Sequence, residues 1–235
     1  MIFHKLYYIK EWHVGVRVQK TGKLVAFIAG TPVKLMVKER NVKAATINYL
    51  CVLKKLRSKR LAPILVREVT RRINLCNVWQ AAYTAGIVIP RPVATTTYYH
   101  RALNTKKLIE ADFSALPMGE TMAAHLKKNR PPKIEDVVIN GFPRDMQKKD
   151  IVAVYKLLKN YLEQFKLRPK YDQETVSHLL LPKNGIIYSY VVENPETNEI
   201  TDFISFFRIP NQILEQNPYQ HTSIDVSINK GLILI

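Results

Sequence analysis

The chain has 235 residues, 47% of them hydrophobic, two cysteines and a formal net charge of +17. That length and apolar content allow one large domain or two small ones with true cores. No run of eighteen apolar residues occurs, which argues against a spanning helix, and the opening "MIFHKLYYIKEWH" is too broken by charge and histidine to read as a secretory leader. Cys51 and Cys76 supply neither a disulfide framework nor metal-ligand spacing. The expectation is a reducing, cytoplasmic setting without a metal. The charge is unevenly placed. Residues 1–130 hold 24 Lys and Arg against 6 Asp and Glu, a net +18, whereas residues 131–235 hold 12 against 13, a net −1. Any polyanionic partner is therefore expected on the first part. Nucleic acid, an acidic membrane and a phosphorylated cofactor all fit such a field, and charge alone does not separate them.

In chain order, "WHVGVRVQKTGKLVAFIAG" predicts a hairpin. Val14, Val16 and Val18 alternate, "KTGK" turns, and Leu24–Ile28 forms the second strand. "KAATINYLCVL" predicts a further strand ending near Leu53. The period then changes, because Leu61, Ile64, Leu65, Val69 and Ile73 recur at helical spacing. Ser58 is placed to act near the N-cap, and Pro63 fits a first helical turn, where a missing N–H costs least. "VWQAAYTAGIVI" predicts a strand stopped by Pro90, Arg91 and Pro92. Residues 115–143, punctuated by Pro, Lys and Gly, read as a linker or long connection. Ile151, Val154, Leu158, Leu162 and Phe165 predict a helix, with Asp145 as its cap. "GIIYSYVVENPETNEITDFISFF" predicts a hairpin around "NPETN", and the chain ends in "SINKGLILI" without a closing helix.

The segment with the most chemical content is "KKLRSKR", Lys54–Arg60, in which five of seven residues are basic. It lies at a predicted strand-to-helix junction. A helix N-terminus presents unpaired N–H groups and partial positive charge, and basic side chains before it add charge-assisted hydrogen bonds, so the place suits a phosphate. Acetyltransferases of the GNAT class hold the coenzyme A pyrophosphate with a similar loop, a basic residue or Gln followed by x-x-Gly-x-Gly/Ala. Arg57 and Ala62 match its ends, and Arg60 stands at the inner Gly. A solvated basic helix start, a nuclear signal or a nucleic-acid patch fits the same residues. No RNA-recognition, KH or zinc-finger pattern accompanies them. His13, His100 and Cys51 make no nucleophile–base arrangement.

The longer string "INYLCVLKKLRSKRLAPILVREVTRRINL", taken with "EWHVGVRV", "YTAGIVIPRPVATTTYYHRALN" and "VVENPETNEITDFISFF", closely resembles the eukaryotic glycylpeptide N-tetradecanoyltransferase (N-myristoyltransferase) family. The resemblance runs from about residue 11 to 210. It implies about half of a family member, without the upstream segment that seals the acyl-CoA site or most of the second half. The implied fold class is α/β, a GNAT-like (acyl-CoA N-acyltransferase) mixed sheet with flanking helices. Residues 1–140 would form the acyl-CoA-binding half and residues 141–235 an incomplete second GNAT-like half.

The family moves myristate from myristoyl-CoA, a co-substrate rather than a prosthetic group, to the amine of an N-terminal glycine. The resemblance implies that Tyr49 and Leu50 match the Phe-Leu pair whose backbone N–H groups form the oxyanion hole. Cys51 and Val52 would line the same acyl-CoA stretch. Ser58, Arg60, Leu61 and Ala62, with Arg57 and Lys59 beside them, would hold the coenzyme phosphates. Thr84, Gly86 and Tyr98 match positions near the peptide, and Asn48 and His13 lie beside that groove. Leu53 stands where the family usually has His. The family's base is the carboxylate of its own C-terminal residue. Peptides or proteins with an N-terminal glycine are the implied partners, and ribosome association goes with them. The same residues allow a non-catalytic acyl-CoA-binding module as the alternative, and a basic nucleic-acid-binding domain as the third reading.

Overall fold

The computed structural model describes residues 8–133, 141–214 and 218–233, the last five by backbone alone. Its strands are β1 (His13–Arg17), β2 (Leu24–Val37), β3 (Arg40–Val52), β4 (Gln80–Ala82), β5 (Phe142–Asp145), β6 (Leu167–Pro169), β7 (Ile187–Glu193), β8 (Ile200–Gln212) and β9 (Ser223–Ile233). Its helices are α1 (Leu61–Leu75), α2 (Thr105–Glu110), α3 (Met122–Lys128), α4 (Ile151–Glu163) and α5 (Gln173–Leu180). The chain divides into two compact units, Met1–Val93 with Lys159–Asp172, and Ala94–Leu158 with Gln173–Ile235. The sequence reading set one boundary at residue 140. The units part after Val93, and residues 159–172 return to the first because β6 pairs with β2.

In the first unit the strand order is β1-β2-β3-β4, with β6 also on β2. β1 covers β2 from Leu24 to Ala29 and β6 covers it from Leu35 to Val37. Pro32 falls in the gap between those two partners, a place where a strand tolerates proline. β3 and β4 run parallel, with Ala44 opposite Gln80 and Thr46 opposite Ala82, so β3, α1 and β4 make a crossover unit. Helix α1 buries Leu65, Val69 and Ile73, one stripe at i, i+4 and i+8, against Trp12, Val14, Ala26, Ile28, Ala45 and Val78. Gly30 permits the close approach: a Cβ there would stand 3.3 Å from Ile73 Cδ1 and 3.4 Å from Trp12 Cε3.

The strand expected across "VWQAAYTAGIVI" is confined to Gln80–Ala82, since β3 offers β4 only residues 44–46 as partners. The helices α2 and α3 were not foreseen. Each is short, and each is capped by a side chain, Asn104 to the Lys107 N–H at 3.1 Å and Thr121 to the Ala124 N–H at 3.3 Å. The expected linker, 115–143, therefore contains a helix and the start of β5. Its residues 134–140 lie outside the described residues, as does Ile235.

The second unit is an antiparallel sheet in the order β5-β7-β8-β9. Ile187, Val191 and Phe203 are buried in it, as are Val154 of α4 and Val176 and Leu180 of α5. Asp145 is not the helix cap, because it is held in β5 opposite Tyr190. The cap is Gln147, at the head of a 3-10 turn (Lys148–Asp150) that runs into α4, in a reciprocal box with Asp150, whose Oδ2 accepts the Gln147 N–H at 2.7 Å. Two serines face each other in the core, Ser189 and Ser205. Ser189 Oγ donates to the Leu180 carbonyl at 2.5 Å, which leaves it to accept from Ser205 Oγ at 2.8 Å. Ser189→Ala strands both of those groups. It should cost about 1–3 kcal/mol of stability, read as a lower urea midpoint at unchanged slope.

Candidate functional site

The site is built where β3 leaves the sheet. Phe27 of β2 lies opposite Cys51, and Ala29 opposite Asn48. One residue of β2, Ile28, therefore faces two of β3, Tyr49 and Leu50, and that is a β-bulge. Tyr49 takes φ 57°, the left-handed region. A non-glycine residue there stores roughly 1–3 kcal/mol of strain that the surrounding fold must hold. Both bulge residues are 46% exposed. The β3–β4 ladder has already ended at Thr46, so among the described residues β3 runs on from Ile47 in register with β2 alone. Cys51 is an exposed free thiol and Val52 is half-buried.

The end of β3 is tied down before the chain turns. The Leu53 N–H donates to the Val25 carbonyl at 2.9 Å, and Arg57 Nε donates to the Val52 carbonyl at 3.5 Å. Lys54–Lys59 form a 3-10 turn, and Arg60 closes it with φ 55° and ψ 33°. Ser58 sits inside this turn and is not the cap. The N-cap is Arg60, without a side-chain bond to the first turn, and Pro63 in that turn has no N–H of its own. Lys54, Lys55, Arg57, Ser58, Lys59 and Arg60 are exposed, and Leu61 and Ala62 half-buried. The next acid along the chain, Glu68, does not neutralise the turn. Arg71 and Arg72 hold it at 2.8 and 2.6 Å, and their guanidinium groups, Arg71 foremost, draw its carboxyl down to about 2.

Arg60 thus adopts a conformation that glycine takes without penalty, at the position where the GNAT loop has its inner Gly. Arg60→Gly should raise stability by about 1 kcal/mol while removing one guanidinium from the turn. A thermal melt and a coenzyme A titration read the two effects separately.

Asn48 lies on the exposed stretch of β3 beside the bulge. Thr84 and Gly86 follow β4 in an exposed irregular segment of the first unit, and Tyr98 and His100 are exposed in the second. His13 is half-buried, its Nδ1 2.9 Å from the Ile9 carbonyl and its ring 4.8 Å from Tyr8 and 6.3 Å from Phe27. Sequence reasoning missed Val25, Phe27 and Ile28, the β2 residues against which the bulge and the strand end are set. The alternation that marks them as strand carries no sign of their partner. Among the described residues no three His, Cys, Asp or Glu side chains group as metal ligands, and no helix is long and apolar enough to cross a membrane.

A mixed sheet whose third strand bulges, turns through a basic loop and enters a helix backed onto the same sheet defines an α/β fold of the acyl-CoA N-acyltransferase (GNAT-like) class. The family model "Myristoyl-CoA:protein N-myristoyltransferase, N-terminal domain" matches residues 3–96, and the corresponding C-terminal domain matches residues 110–227. The chain belongs to the N-myristoyltransferase family. It is similar to glycylpeptide N-tetradecanoyltransferase 1 of Arabidopsis thaliana, 49% identical over 90% of this chain and 48% of that one. It is 46% identical to the Plasmodium falciparum glycylpeptide N-tetradecanoyltransferase over 90% of this chain and 50% of that one. The crystal structure of Saccharomyces cerevisiae N-myristoyltransferase with bound myristoyl-CoA superposes with a TM-score of 0.83 at 42% identity, covering 94% of this chain and 53% of that one. The chain spans about half the length of these relatives.

Proposed function

We propose that the chain transfers a myristoyl group from myristoyl-CoA to the N-terminal glycine amine of peptides or proteins. The observation that carries this reading is the bulge at Tyr49–Leu50, strained at Tyr49 and followed within ten residues by the basic turn. Of the eight described non-glycine residues with positive φ, Tyr49 alone lies inside a strand, and strain held there points to function. In the reaction a neutral amine attacks the thioester carbonyl, negative charge gathers on the oxygen, the C–S bond breaks to release the coenzyme thiolate, and the proton shed by the nitrogen as the amide forms passes through solvent to that sulfur. The N–H groups of Tyr49 and Leu50 are assigned to that oxygen. Arg57, Ser58, Lys59 and Arg60, with the amides of Leu61 and Ala62, are assigned to the coenzyme phosphates. Cys51 and Val52 are assigned to the start of the acyl chain. Asn48, Thr84, Gly86 and Tyr98 are assigned to the peptide. Residues 1–140 are assigned to the acyl-CoA half and 141–235 to part of the second. Cytoplasmic location and work beside the ribosome, where new N-termini emerge, belong to the same reading.

The test is incubation of the full chain with labelled myristoyl-CoA and an octapeptide beginning with Gly. Label in the peptide supports the proposal. Coenzyme A binding without transfer rejects it in favour of a non-catalytic acyl-CoA-binding module. Tight, salt-dependent RNA binding that excess coenzyme A leaves in place rejects both. Arg60→Glu should weaken acyl-CoA binding at least tenfold by reversing a charge at the turn, and an unchanged dissociation constant would remove the phosphate assignment.

A further inference from the structure

The first unit carries the whole charge of the protein. Met1–Val93 and Lys159–Asp172 hold 22 Lys and Arg against 5 Asp and Glu, a net +17, and the second unit holds 14 of each sign. The turn at 54–60 accounts for only five of those cations. A second concentration lies at the other end of the same sheet, where β2 turns into β3 and β6 joins them.

Lys34 of β2 stands directly opposite Lys43 of β3. On its other side the Lys170 N–H donates to the Lys34 carbonyl at 2.8 Å. Residues opposite one another in adjacent strands project to the same face, about 4.8 Å apart in the sheet. Lys170, just past β6, thus stands with Lys34 and Lys43 in a row of three lysines on one face of the sheet. Lys170 Nζ reaches Asn41 Oδ1 at 3.0 Å, which fixes the face they share. The next row holds Arg168 opposite Met36. Lys38 and Arg40 occupy the tip of the hairpin, and the Lys38 N–H is bonded to the Lys166 carbonyl. Glu39 is the one acid in the turn, with Glu163 and Asp172 the acids of the returning segment, and Glu163 lies 3.9 Å from Lys159. Like charges directly opposite in a sheet oppose folding, so this row works against the fold that displays it.

Apolar groups accompany the cations. Val37 and Leu167 are a cross-strand pair at the tip, exposed on the opposite face of the sheet from the lysine row because each stands an odd number of residues from it, so the tip would enter a surface edge-on. Phe165 is exposed next to them and meets Tyr161, also exposed, edge-on at 5.5 Å. A nucleic-acid backbone has no use for exposed Val and Leu. The interface of a bilayer takes them in, while its anionic headgroups take the lysines. We propose that the β2–β3 hairpin tip with β6 is a docking surface for a membrane rich in anionic phospholipid. The dipping groups are Val37, Leu167 and Phe165, and the headgroup contacts are Lys34, Lys38, Arg40, Lys43, Lys166 and Lys170. The surface lies toward the opposite end of β3 from the bulge, its Lys43 six residues before Tyr49, and does not depend on the transfer reaction.

The test is co-sedimentation of the full chain with phosphatidylcholine vesicles containing 0 or about 30% phosphatidylserine at physiological ionic strength. Binding to the anionic vesicles alone is expected. Lys34→Gln, Lys43→Gln and Lys170→Gln together should lower the partition coefficient roughly a hundredfold and leave coenzyme A binding unchanged. Lys10→Gln, Lys20→Gln and Lys23→Gln remove the same charge from exposed positions elsewhere in the unit and should lower it far less. Equal losses in the two triple variants would overturn the surface in favour of diffuse charge. No sedimentation of the parent chain would overturn it outright, as would equal sedimentation with uncharged vesicles. Displacement of the bound chain from anionic vesicles by a mixed-sequence RNA at the same salt would overturn it in favour of a nucleic-acid surface.

Discussion

On the proposed oxyanion assignment, Leu50→Pro will lower any myristoyl transfer by the chain roughly 10²–10³-fold, the loss of about 3–4 kcal/mol that follows removal of one donor from an oxyanion hole. Proline deletes the Leu50 N–H and also disfavours the left-handed conformation of Tyr49 before it, while the basic turn and Arg60 lie beyond the change. The acyl-CoA dissociation constant should therefore move little while kcat falls. Leu50→Ala keeps the N–H, and its kcat should stay within a few-fold of the parent. If Leu50→Pro turns over like the parent, the oxyanion assignment fails. If Leu50→Ala falls as far as Leu50→Pro, the leucine side chain rather than the amide is what the reaction uses. Melting curves of both variants separate these results from simple unfolding.

Asp150→Ala should destabilise the second unit by about 1.5–3 kcal/mol, the loss of charge-assisted hydrogen bonds to a guanidinium that keeps its second partner, Glu193. Asp150 is 4% exposed. Its two oxygens accept from Arg144 at 2.7 and 2.9 Å, and Oδ2 also takes the Gln147 N–H. Arg144 in turn holds Glu193 of β7 at 2.6 Å. One carboxylate therefore joins β5, the capping turn and the start of α4. The Arg144 hydrogen bonds hold the Asp150 carboxyl below its ordinary value, against the opposing effect of burial, and the Gln147 N–H adds to them. A carboxyl lowered in the folded state adds stability at pH above its unfolded value of about 3.9 and loses it as pH falls through the lowered folded value. The parent should lose stability as pH falls below about 4, and Asp150→Ala should show a flatter profile there. Parallel acid titrations followed by circular dichroism check both the size and the slope.

How much of this was legible in the sequence depends on what kind of signal each part leaves. The hairpin of β1 and β2, the strand β3 and the helix α1 were legible because apolar spacing records which face is buried, and Leu65, Val69 and Ile73 are the residues that spacing selects. The junction was legible in place but not in geometry. Left-handed backbone is usually announced by glycine, and here Tyr49 and Arg60 carry it. The caps were misread for a related reason. Ser58 and Asp145 are good capping residues, but the 3-10 turn captures one and β5 the other, so Arg60 and Gln147 take the role. β6 left no signal, since three residues paired with a strand some 130 positions earlier have no local pattern. The lysine row left half of one. Lys34 and Lys43 are symmetric about the hairpin turn, but Lys170 joins them only through β6.

That late strand bears on how the molecule is made. β4 ends at Ala82, and β6, which completes the same sheet, does not begin until Leu167. At 5–20 residues per second, translation needs roughly 4–17 s to cross that interval. Throughout it the nascent sheet waits with the far end of β2 uncovered, and any chaperone serving this protein has that window in which to act.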